Sequence, residues 1–170
     1  MEWTGQVYAD TPVIAVDTYI DAPPSSVWEL VSDIHLMPTL SSEVRDVAWL
    51  DDATAPGVGR RFVGRNAHPS LGEWETICTV VEYQPPARFA WAVGDPGHPS
   101  SVWRFSLRAQ GAGTLLEQQA QMGPARSGLS FAIDAMPEKE QKIVFVRLRE
   151  FENGITANLA AIKQLAEEER

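Results

Sequence analysis

His68 closes an alternating run, Phe62-Val63-Gly64-Arg65-Asn66-Ala67-His68, and stands directly before Pro69. Residues two apart on an extended strand share a face, so the Phe62 ring, the Asn66 amide and the His68 imidazole look the same way. With an ordinary pKa of about 6.5, an imidazole is the side chain best suited to moving a proton at neutral pH. His68 is therefore the candidate general base, although nothing beside it in the chain supplies the second group that acid–base catalysis needs. His35 and His98, the latter next to Pro99, read as surface residues. Thr76, Gln118 and Asn158 join Asn66 as polar side chains at positions that the patterning below turns inward. Leaving such a group buried and unpaired costs about 1–3 kcal/mol, so each either satisfies a backbone group or water nearby, or orients a carbonyl or hydroxyl of a ligand. Arg147, at the border of an apolar helix stripe, is open to a surface salt bridge or to a ligand anion. The salt bridge is the expected use.

Other chemistries drop out. Cys78 is the one cysteine, so it forms no internal disulfide, and its apolar mid-strand setting reads as that of a small buried hydrophobe. Three widely spaced His and one Cys leave almost no ligands for a structural metal, and no metal or other cofactor is expected. The sequence has no Gly-x-Ser-x-Gly, His-Glu-x-x-His, phosphate-loop or Cys-x-x-Cys motif, and Gly57-Val58-Gly59 follows Pro56 as a hairpin turn does. With 14 Lys+Arg against 23 Asp+Glu, a net charge of −9 argues against nucleic acid or an anionic membrane as the main partner. No run approaches the roughly 18 uncharged apolar residues of a membrane helix. Met1-Glu2-Trp3-Thr4-Gly5 lacks the basic-then-apolar order of a signal peptide, which makes the cytosol the expected compartment.

The elements that must position these residues can be read from periodicity and punctuation. Residues 12–21 alternate as a strand with Ile14, Val16, Thr18 and Ile20 on one face. Pro24 suits a first helical position and Ser26 stands three residues before Glu29, the spacing of a capping box, so a short helix carries Val27, Trp28, Leu30 and Val31. A second short turn opens at Asp33 and is expected to end at Pro38. From about residue 43 to 122, apolar runs separated by Pro- and Gly-containing turns predict six antiparallel strands, near 43–51, 58–68, 72–84, 87–94, 100–109 and 113–122. The inner face collects Phe62, Gly64, Asn66 and His68; Trp74, Thr76, Cys78 and Val80; Phe89, Trp91 and Val93; Trp103, Phe105 and Leu107; and Leu116, Gln118, Ala120 and Met122. The outer face carries Arg and Glu that can pair across strands.

One wet face demands a cover on the other. Pro137, followed by Glu138 and Glu140, opens a helix expected over 137–168, roughly 45 Å long at 1.5 Å per residue. Val144, Leu148, Phe151, Ile155, Leu159 and Ile162 form its apolar stripe, and Asn158 lies just off the centre of that stripe. Gly154 interrupts the helix at a cost of about 1 kcal/mol against Ala, and is expected either to bend it, to admit close packing or to leave room for a ligand. Residues 123–136 join the last strand to this helix as a partly helical flap.

A strand, two short helices, a six-strand meander and a long final helix describe a curved sheet closed around a rod. On the passage Ile20-Asp-Ala-Pro-Pro-Ser-Ser-Val-Trp28 leading to Asp33, the Pro56-Gly-Val-Gly59 turn, Phe62-Val-Gly-Arg-Asn66, Gly72-Glu-Trp-Glu-Thr76 and Pro85-Pro-Ala-Arg-Phe89-Ala-Trp91, the chain resembles the START-related (SRPBCC) superfamily. It is similar to bacterial polyketide cyclase/dehydrase-like members over about residues 12–165. The resemblance implies an α+β helix-grip fold of the START and pollen-allergen kind: a curved seven-stranded antiparallel sheet wrapped around a long C-terminal helix, with two short helices after the first strand. One domain over 1–170 is expected, with 1–11 as an N-terminal extension. The Cys/His and His/carboxylate sets of the iron-bearing relatives are not found here.

The resemblance also implies a cavity between sheet and helix for an apolar or amphipathic small molecule. Phe62, Asn66, His68, Trp74, Cys78, Trp91, Trp103, Gln118, Phe151, Ile155 and Asn158 are the candidate lining, and the high count of six Trp is consistent with either a packed core or a pocket for flat ligands. Three functions stay open. The first is binding of a lipid or polyketide-like molecule by a monomer or homodimer. The second is aromatase/cyclase chemistry, an aldol closure with dehydration in which positioning does most of the work. The third is a chaperone-partner or regulatory role through an exposed patch at Phe131 and Met136.

Overall fold

The computed structural model describes residues 1–169. Strand β1 (Val13–Ile20) leads into helix α1 (Pro24–Val31), a 3-10 turn at Ile34–Leu36 and the single-turn helix α2 (Met37–Leu40). Six strands follow: β2 (Val44–Trp49), β3 (Arg61–His68), β4 (Gly72–Gln84), β5 (Arg88–Asp95), β6 (His98–Gln110) and β7 (Gly113–Met122). Helix α3 (Gly128–Ala135) lies in the flap, and α4 (Glu140–Glu168) follows a 3-10 turn at Pro137–Lys139. The strands form one antiparallel sheet in the order β1-β7-β6-β5-β4-β3-β2. This is the helix-grip architecture, with every connection from β2 to β7 a hairpin and β1 closing on β7.

Local chemistry explains the boundaries. Pro23 and Pro24, not Ser26, set the start of α1: Pro23 is the extended residue before the helix and Pro24 the first within it, and no side-chain cap forms. Pro38 does not end the second turn as expected. It sits in the first turn of α2, where a missing N–H costs nothing, and Asp33 caps the preceding 3-10 turn by accepting from the His35 N–H at 3.0 Å. The register of β4 shifts between Val80 and Glu82, a bulge that returns Tyr83 to the inner face opposite Phe89. On the outer face Arg65 reaches Glu75, its partner across β3 and β4, at 3.2 Å, and Arg104 reaches Glu82 at 2.7 Å.

The main core joins sheet and helix. Phe62, Cys78, Val80, Phe89, Trp91, Phe105, Leu107, Leu116 and Ala120 from the sheet pack with Ile155, Leu159, Ile162 and Ala166 of α4 and Val27, Trp28 and Val31 of α1. The α4 spacing of three and four residues presents these side chains as one stripe, and the helix lies most closely along β1. A smaller cluster, Met122 with Val144 and Leu148, receives Leu129 and Ile133 from the flap and Tyr8 from the N-terminal arm. Tyr8 donates its hydroxyl to the Ala125 carbonyl at 2.6 Å, and the Trp3 ring lies 5.1 Å from that of Phe145, so the arm is pinned along the flap and α4.

Candidate functional site

The candidate residues separate into two groups along the grip. Phe62, Cys78, Trp91, Gln118 and Ile155 are buried in its middle. Their rings interlock: Phe62 stands 6.0 Å from Trp91, which stands 6.2 Å from Phe105, and Trp49 covers Phe62 edge-on at 5.6 Å. This is close-packed interior, in which burial pushes the Cys78 thiol up to about 12, only partly offset by its contact with Thr76. Asn66, His68, Trp74, Trp103, Phe151 and Asn158 are half-buried.

Within the second group, His68 of β3 and Trp103 of β6 mark the end of the grip at the N-terminal half of α4, whereas Asn158 lies in the C-terminal half of that helix. His68 is the last residue of β3, and the β3–β4 register places Trp74 across from Asn66. Two contacts one residue apart on α4 bracket this end. His68 Nε2 lies 2.5 Å from a Glu150 carboxylate oxygen, and the Trp103 ring meets Phe151 edge-on at 5.1 Å. Trp103 and Phe151 pack against the main core, whereas Trp74 belongs to neither hydrophobic cluster.

Hydrogen bonds fix the polar groups. The Asn66 amide donates to the Gly64 carbonyl and to Thr76 Oγ1, both at 3.3 Å. The Asn158 amide, oriented to suit its neighbours, donates to the carbonyls of Leu40 at 3.0 Å and Gly154 at 3.2 Å, and so ties α4 to the end of α2. The Ser70 N–H donates to His68 Nδ1 at 2.9 Å. That assignment leaves the ring proton on Nε2, facing Glu150, and occupies both ring nitrogens. Glu150 is the partner that the sequence around His68 could not supply.

Arg147, one helical turn before Glu150, completes the cluster. It is not the surface salt bridge expected from its position on the stripe: its side chain is 10% exposed and forks onto Glu43, in the loop before β2, with both nitrogen–oxygen distances 2.8 Å. A Glu150 oxygen lies 3.5 Å from the same guanidinium, which also sits over the Phe151 ring at 4.8 Å. Burial works against the Arg147 charge, but the hydrogen bonds and charges of Glu43 and Glu150 outweigh it and hold the guanidinium above its ordinary pKa. Donor atoms of Glu43, His68 and Glu150 lie within 4.8 Å of one another, a set of types that can ligate a metal. Arg147 already supplies the positive charge those carboxylates need.

Two open clefts lie outside the space between sheet and α4. One, of about 290 Å³, runs between the 32–35 turn and Trp49, Pro56 and Tyr83. The other, of about 320 Å³, follows the β2–β3 loop around Leu50–Thr54. On the flap, Phe131 is 73% exposed. Gly154 is exposed and a Cβ there would meet open space, so close packing does not account for it.

The profile of the polyketide cyclase / dehydrase and lipid transport family matches residues 11–167. This chain belongs to that family. Among solved structures, it is similar to a polyketide-cyclase-like protein of Corynebacterium glutamicum, with 30% identity, 92% of each chain covered and a TM-score of 0.67. The di-domain ARO/CYC StfQ from the steffimycin biosynthetic pathway shares the fold at 12% identity and a TM-score of 0.71; 92% of this chain covers 51% of that one. Protein Ms6760 of Mycobacterium smegmatis does so at 14% identity, 95% of each chain and a TM-score of 0.59. No curated protein matches this family member. No helix among the described residues is long and apolar enough to cross a membrane.

Proposed function

We propose that this family member binds an apolar or amphipathic small molecule at the end of the grip lined by Asn66, His68, Trp74, Trp103 and Phe151. The observation that carries the reading is the placement of Trp74: a large ring on the concave face, half-buried, yet outside both hydrophobic clusters. A ring so placed leaves apolar surface for a guest to cover, at a gain of about 25 cal/mol per Å². The family description, which includes lipid transport, agrees with such a guest. Because the middle of the grip is filled by Phe62, Trp91 and Phe105, a guest that extends beyond these residues must displace rings to reach further.

The test is titration of an uncharged fluorescent probe, Nile red, into wild type and a Trp74→Ala, Trp103→Ala double variant whose folding is checked by circular dichroism. Saturable binding that weakens at least tenfold in the variant supports the site. Saturable binding of equal strength in both places the guest elsewhere.

The His68–Glu150 pair supports aromatase/cyclase chemistry as a second reading, since it supplies the two titratable groups that proton transfer needs. Against it, the Ser70 N–H occupies the ring nitrogen that a base would use. Cyclisation of a poly-β-keto thioester by the wild type, lost on His68→Ala, would favour this reading over binding alone.

A further inference from the structure

We infer that Arg147 is the anchor for a carboxylate on the guest, and that Glu43 occupies this anchor when no guest is bound. This deepens the proposal above and rests on it, naming the ligand class as a monocarboxylic acid with an apolar or aromatic body.

The geometry supports an exchange of one carboxylate for another. The central carbon of the guanidinium lies 4.8 Å from the centre of the Phe151 ring, which in turn meets Trp103, so the charge borders the aromatic side chains of the proposed site. Its two terminal nitrogens are matched to the two oxygens of one planar carboxylate, at 2.8 Å each, the fork geometry that favours carboxylates over single-point acceptors. Glu43 and Glu150 differ in how firmly they are held. Glu150 has a second donor in His68, at 2.5 Å, and lies on the rigid helix α4. Glu43 is the more exposed partner of Arg147, with 27% of its side chain open against 10% for the arginine, and it lies in the loop before β2.

That loop is fixed independently of the Glu43 side chain. Ser41 Oγ accepts from the backbone N–H groups of Glu43 and Val44, both at 3.1 Å. The Glu43 carboxylate can therefore turn into water by side-chain rotation while the backbone keeps its hydrogen bonds. Exchange leaves the charge around Arg147 unchanged: one carboxylate regains its hydration as another loses it. The net driving force is then burial of the guest's apolar body against Phe151, Trp103 and Trp74. An ester of the same body offers no such exchange, because it brings no charge to replace that of Glu43.

The test compares cis-parinaric acid with its methyl ester, two fluorescent probes with the same apolar chain, by titration into the full chain. Wild type is expected to bind the acid at least tenfold more tightly than the ester. Glu43→Gln, which removes the internal competitor, is expected to widen that ratio by a further tenfold. Arg147→Met is expected to abolish the ratio, and a Glu43→Gln, Arg147→Met double variant, which buries no unpaired charge, gives the same readout should the single variant fold poorly. A wild-type ratio near one, or a ratio unchanged by Glu43→Gln, overturns the carboxylate anchor while leaving the binding site standing. Failure of both probes to bind any form overturns the site itself and the anchor with it.

Discussion

The Glu43–Arg147 pair offers a stability measurement whose asymmetry follows from burial. Removing one partner of a fully buried ion pair costs about 3–5 kcal/mol, whereas an exposed pair contributes about 0–1 kcal/mol. Arg147 is 10% exposed and Glu43 27%, so the pair lies between those limits, and its two halves are unequal. Glu43→Gln leaves a buried guanidinium with one remaining carboxylate, Glu150 at 3.5 Å, and should cost about 2 kcal/mol. Arg147→Met keeps an unbranched side chain against Phe151 and lets Glu43 turn to water, and should cost about 1 kcal/mol. The double variant has no charge to strand, so a double-mutant cycle should return a coupling of about 1–2 kcal/mol. Urea unfolding followed by circular dichroism reads all four proteins. Additivity within about 0.5 kcal/mol, or Arg147→Met costing more than Glu43→Gln, would refute the reasoning that the arginine is the buried half of a coupled pair.

Two further outcomes test the packing. Burial holds the Cys78 thiol protonated to about pH 12 against 9.0 for an open thiol, so alkylation by iodoacetamide at pH 8 should proceed only as fast as the chain unfolds. The sign of the linkage is set by the same shift: between pH 9 and 12 the unfolded chain loses this proton while the folded one keeps it, so stability falls over that window, and Cys78→Ala should flatten the fall. Rapid labelling of the folded protein at pH 8 would contradict the burial. Gly154→Ala should raise stability by about 1 kcal/mol in thermal unfolding, because a Cβ there meets open space and the helix loses its weakest residue; a decrease would mean that α4 needs the glycine.

Much of this fold was legible because alternation and helical spacing are local signals. Phe62, Cys78, Phe89, Phe105, Leu116 and Ala120 all read inward from period two, and Val144, Leu148, Ile155, Leu159 and Ile162 from the stripe, and each is buried. Competing local signals explain the misses. Both Ser26 and Pro24 offered to start α1, and the fixed backbone angle of proline decided it. Pro38 looked like a stop but opens a turn, since proline is tolerated equally at either place.

The site was half legible. Periodicity turned His68 and Trp103 toward the helix, where His68 meets Glu150 and Trp103 meets Phe151, but a face is not a partner. His68 and Glu150 are 82 residues apart and Glu43 and Arg147 are 104 apart, so their pairing depends on how α4 slides along the sheet, which no local pattern encodes. A signal for Arg147 was present in its place at the edge of the apolar stripe, where a buried arginine demands a carboxylate from another element. Asn158 shows the reverse case: the spacing turned it inward, and the carbonyls of Leu40 and Gly154 accept its amide hydrogens.

Native mass spectrometry of the purified chain, before and after extraction with organic solvent, tests the central claim most directly. The account predicts a one-to-one complex with an apolar or amphipathic molecule, either co-purified or formed on adding a long-chain carboxylic acid, and its loss in the Trp74→Ala, Trp103→Ala variant. A chain that stays at its bare mass at every concentration of added acid would contradict it.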